Sequence, residues 1–455
     1  MKRWLKRVHD HWFAPAPLED LALVRVTLVS VQLSLLLFPF FSLAVGACPG
    51  CDRDYQAWLT AIDVREFAPL PALKLLLSPF GWGVRPEPML LQATWIATVV
   101  AGLLALVGLY TRPSLLVLAA GSTLLVAHAY SYREGHHPEA LLTIMLWTLA
   151  LAPSGARWSI DHLRFRVRHT LASRRFEPDR AGPSLSPHAR WPLRLAQWLL
   201  VLIYLSAGTS KLLNGGLQWF NGYTLAYYIG DDAIERGSAL GLWLAQHVVL
   251  VQLISIGAIA TELGFGGVLL WPRLVWLFVL AGIGLHVGIY VLQRAPFPQL
   301  IALYVVFVGE LRAAGLPWPL RALRRAPLSA PASRWTLVYD GRCPLCLRTM
   351  AVLDWMDLRR RLAYVDLERQ WSAAAALAPG LSLDQARHAM HLAAPDGTVY
   401  RGYQAFARLA RLLPALWPAL PLTLLPFADR AGAALYGVVA RMRRRHLCRV
   451  ESCPI

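Results

Sequence analysis

The sequence predicts a polytopic α-helical membrane bundle of about eight spans followed by a small α/β domain. Three observations lead there. The 455 residues are 56% hydrophobic and only 16% charged, with 18 Trp and a mean hydropathy of +0.44. A water-soluble globule of this length needs more charged surface. The formal net charge of +18 is distributed unevenly along the chain, and past residue 312 the long apolar runs give way to strand-and-helix periodicity.

Apolar runs fall at 21–45, 89–110, 114–130, 139–152, 195–213, 242–270, 274–292 and 297–311. The fourth and eighth are short for a span. With the N-terminus inside, 36 of the 45 Lys and Arg residues lie on the cytoplasmic side, among them the nine arginines from Arg157 to Arg194. That skew requires an even number of spans. It also assigns the positive charge to anionic lipid rather than to nucleic acid. Both termini are therefore expected in the cytoplasm of a bacterial-type inner membrane, with membrane lipid as one partner. Val45-Gly46-Ala47-Cys48 looks like a cleavage box, but the run before it is too long for a signal peptide and contains Arg25, so a retained first helix is expected. Cys48 and Cys51, just outside, are expected to close a small disulfide loop.

Ionisable groups at membrane depth are functional candidates. Lys211 is one of only four lysines. A desolvated Lys can lose its proton and act as a base where Arg cannot, although a Lys at a helix end also snorkels to the interface. His136, His137, Glu262 and His286 are further candidates, with Glu262 a partner for Arg25 or a backbone donor. Lys211 and His137 both fall near outer ends of spans, where one pocket could hold them.

The segment Ala207-Gly208-Thr209-Ser210-Lys211-Leu212, then Trp219-Phe220-Asn221-Gly222, with Arg25, His137 and Trp158-Ser159-Ile160-Asp161, resembles the horizontally transferred transmembrane family over roughly residues 15–312. That family is related to the vitamin-K-dependent gamma-glutamyl carboxylases. The resemblance implies a quinol as cofactor, Lys211 as the base that deprotonates it, and His137 assisting. The carboxylases follow their bundle with a large lumenal domain; this chain follows it with a different one, which puts carboxylation of protein glutamate in doubt.

The expected domains are therefore the bundle at 1–312, a Pro/Arg-rich linker at 313–333, an α/β domain at 334–446 and a Cys-containing tail at 447–455. Trp335–Asp340 reads as a strand, Gly341-Arg342 as a turn and Cys346 to about Asp357 as a helix. A strand at about 362–366, a hairpin at 389–394 and 398–400 and a helix at 403–413 follow. The apolar, Pro-rich stretch at 412–440 reads as a membrane-surface hairpin or a domain-closing element, because four prolines break a spanning helix.

Cys343-Pro344-Leu345-Cys346 opens a helix directly after a strand. There the helix dipole and unpaired N–H groups stabilise a thiolate. Cys343 is the expected attacking sulfur, Cys346, one turn deeper, the resolving one, and Asp340 a proton acceptor for the resolving thiol or a helix cap. A zinc site joining Cys343 and Cys346 to Cys448 and Cys453, on a non-enzymatic scaffold, is the structural alternative.

The run Tyr339-Asp340-Gly341-Arg342-Cys343-Pro344-Leu345-Cys346, with Tyr364-Val365-Asp366, Asp396-Gly397 and Gly402-Tyr403-Gln404-Ala405-Phe406, resembles the DCC family of thiol-disulfide oxidoreductases over about 334–446. The resemblance implies a compact thioredoxin-like domain with Asp340, Cys343 and Cys346 at a redox site, acting on a disulfide-bearing protein or a small thiol. The cis-proline that thioredoxins set against their cysteine pair is not identifiable in the sequence.

Overall fold

The computed structural model describes residues 2–37, 67–80, 86–131, 137–179, 184–314, 334–358, 360–377, 382–423 and 425–447. The chain divides into two compact units. One comprises Met1–Asp161 and Pro183–Pro319, the other His162–Gly182 and Leu320–Ile455.

Among the described residues of the first unit, five helical stretches are long and apolar enough to cross a membrane: Leu18–Leu37, Pro88–Val107, Thr111–Tyr130, Pro187–Asn221 and Pro272–Gln293. A sixth is reached only if Ala239–Ala245 and Val248–Gly264, bent by 100° to each other, count as one span. The described residues thus support five or six spans, and eight are not confirmed. The fourth apolar run becomes the helix His137–Leu151 of 15 residues. At 1.5 Å per residue it covers about 22 Å of a hydrocarbon core about 30 Å thick. Pro138 and Pro153 bound it. The sixth run breaks at His247, whose backbone leaves helical geometry and whose Nδ1 lies 2.8 Å from the carbonyl oxygen of Trp243. The eighth splits into Pro298–Leu303, a tighter turn at Tyr304–Phe307, and Val308–Ala313. The first run continues in the sequence beyond Leu37 into residues outside the described set.

Arg25 is fully buried and holds two backbone carbonyls. Its guanidinium donates to the oxygen of Ala105 at 2.8 Å and to that of Trp158 at 2.6 Å. Three residues after Trp158, the Asp161 carboxylate accepts the N–H groups of Tyr110 (3.0 Å) and Thr111 (2.7 Å) and the Thr111 hydroxyl. Those N–H groups begin the helix Thr111–Tyr130 and have no partner within it, so Asp161 caps that helix from a distant position in the chain. Arg25 and Asp161 thus fasten one end of the bundle, which gives both a structural role.

The second unit is a small α/β fold. Its sheet has strands β1 (Trp335–Tyr339), β2 (Leu362–Asp366), β3 (His391–Ala393) and β4 (Val399–Arg401), in the order β2-β1-β3-β4. β1 and β2 are parallel, pairing Trp335 with Leu362 through Tyr339 with Asp366. A parallel pair needs a crossover, supplied by the helix Pro344–Met356. β1–β3 and β3–β4 are antiparallel, and Gly397, at φ +86°, makes the tight hairpin turn. The core contains Leu337, Tyr339, Leu347, Met350, Leu353, Leu392, Ala405 and Leu409.

Side chains from 162–179 belong to this core as well. Phe176 is buried with it, its ring 4.9 Å from that of Tyr364 and 5.9 Å from that of Tyr339, while Val167 and Leu171 pack alongside. Arg166 bridges Asp179 (2.6 Å) and Asp354 (3.0 Å), and Arg360 reaches the same two carboxylates at 3.3 Å. The α/β unit is therefore assembled from two stretches of chain, the first drawn from the basic segment between two bundle helices.

The stretch after Leu412 forms a turn at Pro414–Ala419, a short helix at Leu420–Thr423 and the long helix Ala428–Leu447. The long helix closes the domain over Tyr403, Phe406 and Met390. A side chain at Gly432 would collide with the Tyr403 ring, and Tyr436 sits 6.0 Å, ring to ring, from Phe406.

Candidate functional site

Cys343 occupies the N-cap position of the helix Pro344–Met356, and its sulfur accepts the backbone N–H of Cys346 at 3.4 Å. Pro344 at the first helical position has no N–H to leave unsatisfied and a φ already suited to the helix. The preceding turn is held by Asp340. Its backbone oxygen accepts the N–H of Cys343 (3.3 Å), and its carboxylate accepts the N–H of Arg342 (3.0 Å). Gly341 leaves room for Asp366, because a Cβ there would lie 2.3 Å from both of its carboxylate oxygens and would have to displace them. Arg342 is drawn outward to Glu368 at 3.0 Å, so its charge is shared with that carboxylate.

The two sulfurs differ in access. Cys343 is 1% exposed, whereas Cys346, placed deeper by sequence reasoning, lies at the wall of an open cavity of about 320 Å³. The N-cap geometry explains the difference, since it turns the Cys343 sulfur back across the helix end. Asp340, Leu345, Met350, Met390, Phe406 and Leu435 share the cavity wall with Cys346. Burial, with the nearby Asp366 carboxylate, raises the Tyr339 hydroxyl above its ordinary value, so this ring enters the wall as a neutral phenol. At the position just before β3, beside the cavity, the chain carries Ala389-Met390 and no proline.

Residues 337–449 match the family model of the DCC1-like thiol-disulfide oxidoreductases. No curated protein and no solved structure matches the chain. The DCC1-like segment holds all four strands except the first residues of β1, and it holds both cysteines and Asp340. It leaves out 162–182, which fold into the same unit. Cys448 and Cys453, the other half of a zinc tetrad, lie outside the described residues, as do Cys48 and Cys51. Among the described residues no group of three His, Cys, Asp or Glu side chains is placed to hold a metal ion.

In the bundle, Lys211 lies on the helix Arg190–Gly215 and is ion-paired to Glu262 on Val248–Gly264. Glu262 therefore pairs with Lys211 and not with Arg25. Gly208 lets the two helices approach closely, because a Cβ there would meet Leu263 at 2.9 Å and Glu262 at 3.0 Å. The Lys211 amine also lies 5.3 Å from the centre of the Trp219 ring, a cation–π distance. Both charged groups line a cavity of about 330 Å³ whose walls are mostly apolar and aromatic, including Trp219, Tyr228 and Ile259, with Ser255 and Gln293 the other polar side chains. Glu262 Oε2 is buried with no hydrogen-bond partner among the described residues.

Opposite charges within neighbouring apolar runs were the signal in the sequence for this pair. His286 is engaged elsewhere, with its Nε2 2.9 Å from the Tyr204 hydroxyl. His137 opens the helix His137–Leu151, but its side chain and all of His136 lie outside the description.

Proposed function

We propose that the chain is an integral membrane protein whose second unit is a thioredoxin-like thiol-disulfide oxidoreductase, with Cys343 and Cys346 as the exchanging pair. The observation that carries this reading is the hydrogen bond from the Cys346 N–H to the Cys343 sulfur at a helix N-terminus, directly after the central strand β1. An N–H aimed at the sulfur and the positive end of the helix dipole both favour a thiolate. Three-residue spacing on a helix lets one sulfur attack a mixed disulfide on the other. The DCC1-like match and the β2-β1-β3-β4 order, with its parallel and antiparallel pairs, support the same reading. Asp340, at the cavity wall, is the proposed acceptor for the proton of the thiol that attacks second.

The positive charge of the sequence supports a cytoplasmic location for this unit in a bacterial-type inner membrane. The test uses the full chain in lipid nanodiscs with a dithiol reductant. Disulfide reduction should fall to background in Cys343→Ser and in Cys346→Ser, and rates equal to wild type in both would end the proposal. Membrane-impermeant alkylation of intact cells checks the location, and labelling of Cys346 from outside would overturn it.

The Lys211–Glu262 cavity favours a second activity in the bundle, the quinol-coupled, carboxylase-like chemistry implied by the family resemblance. A planar phenol suits the aromatic and aliphatic walls, and Glu262 Oε2 offers an acceptor to its hydroxyl. Bound there, a quinol would supply a reducing equivalent, with Lys211 as the base once its proton has passed to Glu262. Incorporation of labelled carbonate that persists in Lys211→Ala would exclude this role.

A further inference from the structure

We propose that the cavity beside Cys346 is a binding site for a small, neutral, apolar disulfide, and that Cys346 is the sulfur that meets it. The inference rests on the thiol-disulfide reading above and names the substrate class of that site.

Three observations carry it. The first is composition: Leu345, Met350, Phe406, Leu435 and Val439 supply apolar walls, and the lining holds the carboxyl side chain of Asp340 with no Lys or Arg beside it, so nothing there attracts an anionic substrate. About 320 Å³ lies at the lower end of the ~300–1,000 Å³ typical of small-molecule pockets. The second is access, since Cys346 lines this cavity while Cys343 is 1% exposed. The third is the state of the main chain beside the cysteines. An extended polypeptide docks on such a fold by pairing its backbone with exposed N–H and C=O groups. Here the N–H of Met390 donates to the Tyr436 hydroxyl at 3.0 Å, and its carbonyl accepts the N–H of Gly402 at 2.9 Å. The helix Ala428–Leu447 thus covers the position a peptide would use and leaves a compartment for a compact molecule.

The exchange balances as follows. The Cys343 thiolate favoured at the helix N-terminus takes the proton of Cys346, whose sulfur attacks one sulfur of R–S–S–R, forming Cys346–S–S–R and expelling RS⁻. Cys343 then attacks the Cys346 sulfur, the second RS⁻ leaves with the Cys343 proton, and a Cys343–Cys346 disulfide remains. Two electrons pass from the pair to the substrate. An external dithiol restores the pair by the same two steps.

The test uses the full chain, reduced, in nanodiscs, with three oxidants: neutral dipyridyl disulfide, dianionic dithiobis(nitrobenzoate) and an extended peptide with one disulfide. Each rate is divided by the rate of the same disulfide with dithiothreitol alone, which removes intrinsic reactivity. The neutral disulfide should lead the other two by about tenfold or more, the scale of one apolar contact in a pocket. Val439→Asp and Leu435→Gln should each erode that lead, and Tyr436→Phe should raise the peptide rate by releasing the Met390 N–H. In Cys343→Ser the neutral disulfide should leave a stable adduct on Cys346. Exchange without preference, a preference for the peptide, or an adduct that accumulates faster on Cys343 in Cys346→Ser would overturn this inference while leaving the exchange reading intact. Exchange with none of the three overturns the exchange reading itself.

Discussion

The guanidinium of Arg166 meets the carboxylate of Asp354 at 3.0 Å, and so joins a segment between two bundle helices to the helix that carries Cys343 and Cys346. Both side chains are nearly buried, and Asp354 also accepts the backbone N–H of Asp179. Removing one member of such a pair strands the other in a medium that solvates it poorly. Arg166→Ala should therefore destabilise the α/β unit by about 2–3 kcal/mol, somewhat less than a lone buried pair because Arg360 remains. Hydrogen exchange of the β1 and β3 amides in the full-length protein reads this directly. Protection equal to wild type would show that the segment is dispensable.

A fragment beginning at residue 334 lacks Phe176, Arg166 and Asp179. It is expected to be incompletely folded, and fusion of residues 160–182 to it should restore cooperative unfolding. Circular dichroism melts of the two fragments decide the matter, and identical sharp transitions would refute it.

His391 lies on β3 at 3% exposure, and its imidazole is held below its ordinary value, mainly by burial and then by Arg401. The folded unit therefore binds a proton here less readily than the unfolded chain. Stability from the neutral ring is present above the unfolded value of about 6.5 and is lost as pH falls below it. Between pH 7 and 5.5 this group should cost up to about 1 kcal/mol. The wild-type melting temperature should fall over that interval by more than that of His391→Leu, and parallel profiles would contradict the assignment.

Lys211 and Glu262 should behave as a unit. Glu262→Gln or Lys211→Met alone is expected to lower the stability of the bundle by about 1–3 kcal/mol, below the ~3–5 of a fully buried pair because Lys211 is partly exposed. The double variant Lys211→Met/Glu262→Gln should recover most of the loss. Melting in one detergent closes the cycle, and additive losses would mean that the pair contributes no coupling.

Gly341→Ala should cost about 1–3 kcal/mol, the range of an overpacked site, since its new methyl group must displace the Asp366 carboxylate. Because the same turn sets the N-cap, alkylation of Cys343 by iodoacetamide should accelerate. Unchanged thiol kinetics would separate the turn from the cap.

The α/β unit was largely legible from local pattern. Strands at 335–339 and 362–366 and the helix from Tyr403 emerged close to where alternation and turn residues set them. The cysteine pair was equally plain, because strand, turn and helix are contiguous there. Which sulfur faces outward was not, since it depends on the N-cap rotation and on a cavity closed by a helix some ninety residues downstream. In the bundle, hydropathy placed the five long apolar helices but could not see the bend at His247 or the breaks between Leu303 and Val308, where hydrogen bonds and packing act and not transfer energy. Arg25 is the same lesson for a single side chain, as its carbonyl partners, Ala105 and Trp158, carry no signature in sequence. The contribution of 162–182 was hidden by its charge. Val167 and Leu171, four residues apart, with Phe176 beyond, were the faint apolar signal within an arginine-rich stretch.

The two-part origin of the α/β unit also orders events on the ribosome. Phe176 and Arg166 leave the exit tunnel while most of the remaining helices of the first unit, and every strand of the sheet they complete, are still unmade. At about 5–20 residues per second, they wait on the order of ten seconds for β1 to appear. During that interval Phe176 has no sheet to cover, so the α/β unit is an obligatory late folder, completed only after the helices of the first unit have been made. A premature stop anywhere before β1 would leave that aromatic side chain unburied, a ready mark for quality-control proteases.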